Sequence, residues 1–441
     1  MRGKHIKRGL ALAGIAGLAL SATFLAAPVS ARAELPAGPP AKSTSIVSHD
    51  NVLTSKVTKR ITGTGVEAQA KALADYWTPA RMKAAKSLER TASRSDSARQ
   101  RTQQSALQGT AGSVAPSRTS KVSAKIAPQY SQPNLPSNTP AARTNGKVFF
   151  SHDGGNYVCS AAVVNSEGKS LIWTAGHCLG EDGVWSSNVV FVPAYSNGTA
   201  PYGVWYAKNI ATTSRWFNNH DWAYDVGAVT LHANFGYRIA DYLGAQGIKW
   251  GEKTKTFTAA AFGYPADDPF DGETLYRADG KTTDKGDGTL FMTSGLTGGS
   301  SGGPWFRNFD GDWGYVNGHN DFIYLDAPLY MYSPYYGAQV ADLYTHVRKM
   351  SADAVSGPTP KISGTAKVGK KLTAKPGTWK PSGTKLSYQW YRNSTKISGA
   401  TKSTYKLLKA DKKKKITVKV TGKKDGYANT TKTSAKTKTV K

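Results

Sequence analysis

From about residue 143 to residue 350 the chain is cut into short runs that suit strands and little else. Lys147-Val148-Phe149-Phe150, Ser160-Ala161-Ala162-Val163-Val164, Ser170-Leu171-Ile172-Trp173 and Val189-Val190-Phe191-Val192 come first. Gly203-Val204-Trp205-Tyr206-Ala207, a run over residues 256–262 and Gly314-Tyr315-Val316 follow, with Gly, Asn, Asp and Ser between them. Many short β-branched and aromatic runs separated by turn residues predict an all-β sandwich or barrel. Only residues 337–350, with Val340, Ala341, Leu343, Tyr344 and Val347, carry helical periodicity. The span 141–352 is long enough for one domain of two barrels.

The flanks differ in texture. The formal charge of +29 divides into +14 over residues 1–140, −6 over 141–356 and +21 over 357–441. A mildly acidic unit between two basic flanks is no argument for a nucleic-acid enzyme, and no nucleic-acid partner is expected. Arg2, Lys4, Lys7 and Arg8 precede an apolar run from Leu10 to about Ala27, then Ala31-Arg32-Ala33. That order is a secretion signal over residues 1–33, with Glu34 first after cleavage. The apolar run is shorter than the ~20 residues a spanning helix needs, so no membrane span is expected once the signal is removed. The product is expected outside the cell.

Residues 34–140 read as a propeptide and linker. Residues 67–89 suggest one amphipathic helix interrupted at Pro79, with Tyr76, Trp77, Met82 and Leu88 on its apolar side. Residues 91–139, rich in Ser, Arg, Gln, Ala and Pro, are expected to be disordered and open to processing. The two cysteines, Cys159 and Cys178, are expected to pair in an exported protein. In the chain-entropy model a bridge closing so short a loop contributes about 3 kcal/mol. It would also restrain the backbone that carries His177.

Three motifs carry chemistry. Thr174-Ala175-Gly176-His177-Cys178 sets a histidine among small residues. A Ser hydroxyl needs such a base to take its proton as it attacks, and to return it to the leaving amine. Asp225 heads Val226-Gly227-Ala228-Val229-Thr230-Leu231 and is preferred as the carboxylate that orients His177. Asp221, beside His220 in a polar turn, is read as a cap. In Gly299-Ser300-Ser301-Gly302-Gly303-Pro304 the following Gly-Gly-Pro selects Ser301 over Ser294 and Ser300 as nucleophile. Glycines on both sides allow a tight turn, and the N–H groups of Gly299 and Ser301 would form an oxyanion hole. Such a donor is worth about 2.7–4 kcal/mol on a transition state.

These three blocks resemble the signature segments of chymotrypsin-like (trypsin-like) serine peptidases, most closely the secreted bacterial branch that includes the glutamyl endopeptidases. The resemblance implies two six-stranded Greek-key barrels with the triad in the cleft between them. Tyr76-Trp77-Thr78-Pro79-Ala80-Arg81-Met82 is similar to propeptides of secreted actinobacterial relatives. Animal enzymes have an activating Asp just before the nucleophile; here Ser300 stands there, and removal of residues 34 to about 140 is the expected switch. Trypsin-like enzymes carry a specificity Asp six residues before the nucleophile, where this chain has Gly295. His319 falls near the His with which glutamyl endopeptidases meet a substrate carboxylate, and a structural His there is an equal reading. The Ser that in the family braces the catalytic Asp is replaced by Asp321 in the simplest register.

Residues 357–441 form a second, basic β unit. Trp379, Tyr388-Gln389-Trp390-Tyr391 and Ile416-Thr417-Val418-Lys419-Val420 are its strand candidates. It resembles the immunoglobulin-like repeats of secreted actinobacterial proteins. Its lysines suggest either a surface for cell-wall polyanions or a solubilising spacer. Asp310-Gly311-Asp312 reads as a hairpin turn in preference to a calcium site. The whole predicts a monomeric secreted serine endopeptidase acting on proteins or peptides, with no cofactor and no metal. The alternative is a cell-wall-binding protein whose peptidase unit is silent.

Overall fold

A computed structural model describes residues 44–63, 65–88, 107–119, 138–350, 354–380, 382–424 and 427–441. The signal expected over 1–33 and much of the 91–139 segment lie outside the described residues.

The segment before the barrels is a strap laid over them. Its pieces are β1 (Ile46–Asp50), the helices Val66–Tyr76 and Pro79–Lys83, β2 (Lys86–Ser87) and β3 (Gly112–Val114). The single helix expected over 67–89 is therefore two, and it stops before Leu88. Pro79 cannot donate to a preceding turn but suits a first helical position, and the Thr78 hydroxyl caps the new helix by accepting from the Arg81 N–H. Tyr76, Trp77 and Met82 are buried as their spacing implies. Residues 107–119 correct the expectation of disorder. Leu107 is buried and Val114 half-buried, which is enough apolar surface to fix this short piece.

The first barrel follows. Its strands are β4 (Asn145–His152), β5 (Gly155–Val164), β6 (Leu171–Thr174), the small hairpin β7 (Gly180–Glu181) and β8 (Val184–Trp185), β9 (Ser187–Pro193), β10 (Trp205–Thr213) and β11 (Gly227–Leu231). Pairing runs β4–β5–β6–β11–β10–β9 and returns from β9 to β4, all antiparallel, so six strands close on themselves. Val148, Phe150, Val163, Ile172, Phe191 and Val229 fill the inside. Phe149 points the other way and still reaches 0% exposure, because Trp77 of the strap covers it. Burial on both faces explains why these strands read as continuous apolar runs without alternation. β1 extends the barrel beside β10, and β2 lies parallel to β5 at Tyr157 and Val158.

The second half contains β12 (Gly247–Trp250), β13 (Thr258–Gly263), β14 (Tyr276–Lys281), β15 (Thr283–Asp284), β16 (Thr289–Thr293), β17 (Pro304–Arg307), β18 (Tyr315–His319) and β19 (Tyr330–Pro334). One sheet runs β14–β13–β17–β18–β12 and ends on β3; a second runs β15–β16–β19. Ala259, Ala261, Leu290, Met292, Trp305 and Met331 pack together from the two sheets. β3 joins at Gly112, where a Cβ would lie 2.6 Å from the Trp250 indole. The β17–β18 turn is closed by Asp310, whose carboxylate accepts from the N–H groups of Asp312 and Trp313. The helix Ala338–Val347 ends the domain.

The C-terminal unit has sheets β20 (Lys361–Ser363), β21 (Lys371–Lys375) and β24 (Thr404–Lys406), and β22 (Lys385–Arg392), β23 (Thr395–Lys396), β25 (Ile416–Lys423) and β26 (Thr430–Thr433). Ile416, Val418 and Val420 of β25 alternate inward onto Trp390, Leu372 and Tyr405, as the sequence pattern predicts. Trp379 lies outside the strands, packed into this core with its indole N–H donated to the Pro376 carbonyl. The described residues are thus all-β apart from short helices. No helix among them is long and apolar enough to cross a membrane.

Candidate active site

His177 follows β6, and Asp225 precedes β11, the strand paired to β6. That pairing brings the two together. Asp225 holds His177 twice: Oδ1 accepts from the His177 main-chain N–H and Oδ2 faces Nδ1, each at 2.8 Å. Both side chains have 0% exposure. Gly176 is needed for this approach, since a Cβ would lie 2.5 Å from Thr212 Oγ1 and 2.7 Å from Asp225 Oδ1. The hydroxyls of Thr212 and Thr213 donate to the carbonyls of Val226 and Tyr224, fixing the turn on either side of Asp225. Burial alone would push the Asp225 carboxyl up, but His177 beside it holds it below the usual range. His177 Nε2 has no hydrogen-bond partner among the described residues. Asp221 stands apart, capping the turn Trp222–Tyr224 and pairing with Arg215.

Cys159 and Cys178 are joined by a disulfide. It ties β5 to the residue after His177. The same strand reaches the serine turn through Ser160. The Ser160 N–H donates to the Ser301 carbonyl at 2.7 Å, and its hydroxyl donates to the Gly299 carbonyl at 3.0 Å while accepting from the Tyr264 N–H at 2.9 Å. Gly302 packs so close to β6 that a Cβ would fall 2.0 Å from Thr174 Oγ1. The turn that carries Ser301 thereby packs against the segment that carries His177, with Cys178 Sγ 3.9 Å from the Ser301 carbonyl oxygen.

Within the turn the two serines differ. Ser300 donates its hydroxyl to the Thr297 carbonyl and is fully buried. Ser301 keeps 6% exposure. The N–H groups of Ser300, Gly302 and Gly303 are engaged. Those of Gly299, at φ +88°, and of Ser301 have no acceptor among the described residues. Asn320 holds the turn from behind: its Nδ2 donates to the Phe262 and Ser300 carbonyls, and its Oδ1 accepts from the Trp305 indole. Neither Ser160 nor Asn320 stands out in the sequence, because each acts only through a strand brought in from afar.

His319 is fully buried on β18. Its N–H donates to Ser333 Oγ, and its Nδ1 lies 2.9 Å from the Tyr336 hydroxyl. Burial pushes its imidazole down to about 3, so it is neutral. The depression beside Ser301 is walled by Thr297, Gly298, Asp321, Phe322, Ile323 and Met331, and His319 is not among them. Ser87 of the strap reaches its rim. The Ser87 hydroxyl donates to Asp267, and its Cβ lies 3.2 Å from where a Gly298 Cβ would be.

No protein-family model matches the chain. An extracellular metalloprotease of Bacillus subtilis (strain 168) is 24% identical over 170 residues, 37% of this chain and 50% of that protein. The chain therefore spans about half the length of the curated relative it matches. Two solved structures share more. The protease Anisep from Arthrobacter nicotinovorans has 37% identity and a TM-score of 0.46, over 47% of this chain and 97% of its own. The thermostable serine protease AL20 from an extremophilic microorganism has 34% identity and a TM-score of 0.46, over 48% of this chain and 100% of its own. All three of these proteins are proteases by name, and AL20, matched over its whole length, is a serine protease.

Proposed function

We propose that the chain is a secreted serine endopeptidase that hydrolyses peptide bonds through an acyl-enzyme. The observation that carries this is the double clamp of Asp225 on His177, with Nε2 unpartnered among the described residues and the Ser301 turn packed against the segment that carries His177. Ser301 Oγ attacks the scissile carbonyl carbon and His177 Nε2 takes its proton. Asp225 fixes the ring with hydrogen on Nδ1 and faces the imidazolium that forms. The oxyanion is met by the unengaged N–H groups of Gly299 and Ser301. Collapse expels the amine, which takes the proton back from His177, and water then repeats the sequence to free Ser301.

The strap, in its described residues 44–63, 65–88 and 107–119, is proposed as part of a propeptide over residues 34 to about 140 that keeps the cleft covered until it is cut away. Ser87 at the rim of the depression and Trp77 against Phe149 support this. The test is hydrolysis of a protein substrate by full-length and trimmed protein beside Ser301→Ala. Activity in the trimmed form alone, lost with Ser301→Ala, supports the reading. A trimmed parent no more active than Ser301→Ala favours the silent wall-binding protein.

Residues 357–441 are proposed to hold the enzyme on a cell-wall polyanion. Three cross-strand pairs set lysine against lysine: Lys361 with Lys375, Lys371 with Lys406, and Lys385 with Lys423. Like charges directly opposite weaken a sheet, so a ligand that neutralises them accounts for their presence.

A further inference from the structure

His177 meets two carboxyl groups. Nδ1 lies 2.8 Å from Asp225 Oδ2 and 3.4 Å from Asp321 Oδ1, and all three side chains have 0% exposure. Asp321 follows β18 and is anchored by its own N–H, which donates to the Tyr332 carbonyl. From the other side His319 Nε2 lies 3.9 Å from the same Asp321 Oδ1.

With both carboxyls ionised and both imidazoles neutral, two negative charges would share one dry site. Of two carboxyls so placed, one keeps its proton well above the usual range. The titratable groups that face Asp321 are Asp225 and His177 from the first barrel, His319 from β18 and Tyr336 beyond β19. The segments carrying Thr297, Ser301 and Met331, which wall the same depression, bring no charge. One proton must therefore sit within the cluster. His319 stays neutral, and a second proton on His177 would occupy Nε2 and abolish the base. The single hydrogen on Nδ1 goes to Asp225, the nearer acceptor, so an ionised Asp321 would receive no strong hydrogen bond from it.

We propose that Asp321 is a positioning residue that works in its neutral form, giving a hydrogen bond to Asp225 and leaving the one negative charge on Asp225. It then steadies the carboxylate that orients His177 and adds no charge of its own. This rests on the peptidase reading above.

The test compares Asp321→Asn and Asp321→Ala in the trimmed enzyme. Asn keeps a neutral donor, so kcat/KM stays within about threefold of the parent and the acid limb of its pH profile moves by less than about 0.3 units. Ala removes the donor, and kcat falls about 10- to 100-fold with KM unchanged. The proposal is overturned if Asn shifts that limb down by about one unit, as loss of a standing charge would. It is equally overturned if Asn is as impaired as Ala, if Ala equals the parent, or if only KM for basic peptides changes. Infrared spectroscopy at neutral pH gives a readout independent of activity. A buried protonated-carboxyl band present in the parent and absent in Asp321→Asn is expected, even if the protein cleaves nothing. No such band in the parent refutes the proposal, whereas an inactive parent that shows the band refutes only the peptidase reading.

Discussion

The Ser160 N–H donates to the carbonyl of Ser301 at 2.7 Å, so the strand that bears Cys159 also holds the turn that presents the proposed nucleophile. Ser160→Ala keeps that bond and removes the hydroxyl that serves Gly299 and Tyr264. The buried Tyr264 N–H then lacks an acceptor, at a cost of about 1–3 kcal/mol in stability. Because the Gly299 peptide moves, kcat should fall by about tenfold or more with little change in KM. Urea denaturation and steady-state kinetics on the trimmed enzyme check both parts.

Gly176→Ala should be worse for activity than its size suggests. The added methyl meets Thr212 Oγ1, Trp216 Cδ1 and Asp225 Oδ1 at 2.5–2.7 Å, and all three are buried. Overpacking of this kind costs about 1–3 kcal/mol. Relief requires Asp225 to retreat from His177, so kcat/KM should drop by about 100-fold or more. A folded Gly176→Ala enzyme with parental kcat/KM would show that the double clamp is dispensable.

Acid should remove two stabilising contributions, each in its own window. His319 has its folded value lowered to about 3, while the unfolded chain takes up this proton below about pH 6.5. Its contribution is therefore intact above pH 6.5 and is lost as pH falls toward 3, at a slope on the order of 1.4 kcal/mol per pH unit. Asp225 is also held low, so its loss adds only below the ordinary Asp value near ~3.9. Chemical denaturation of the parent and His319→Gln between pH 7 and 4.5 isolates the first window. The stability difference between parent and variant should shrink as pH falls through this window, and parallel curves would contradict this.

The strap should depend on Trp77, which is buried against Phe149 and donates its indole N–H to the Asn188 carbonyl at 2.7 Å. Removing so large a buried ring costs about 3–5 kcal/mol. Inhibition of trimmed enzyme by an added peptide of residues 44–88 should weaken about 100-fold or more with Trp77→Ala. Equal inhibition by both peptides would remove the strap from the account.

The residues of the proposed site could be picked out before any fold. His177, Asp225 and Ser301 announce themselves because each sits in a local run of small residues that only close packing requires. Gly176 and Gly302 show the reason, since neither has room for a methyl. Ser160, Asn320 and the placement of Asp321 at His177 were not legible, because each depends on distant strands meeting. Composition also misled at residues 107–119. A few apolar contacts and a free edge of β12 sufficed to order a segment with almost no core of its own.

The central claim is that Ser301 is a nucleophile activated by His177. Intact-mass and peptide mapping of trimmed protein treated with a fluorophosphonate measures this directly. The account predicts one adduct per chain, located on Ser301 and abolished in both Ser301→Ala and His177→Ala. No adduct on folded, trimmed parent, or an adduct that survives Ser301→Ala, would contradict it.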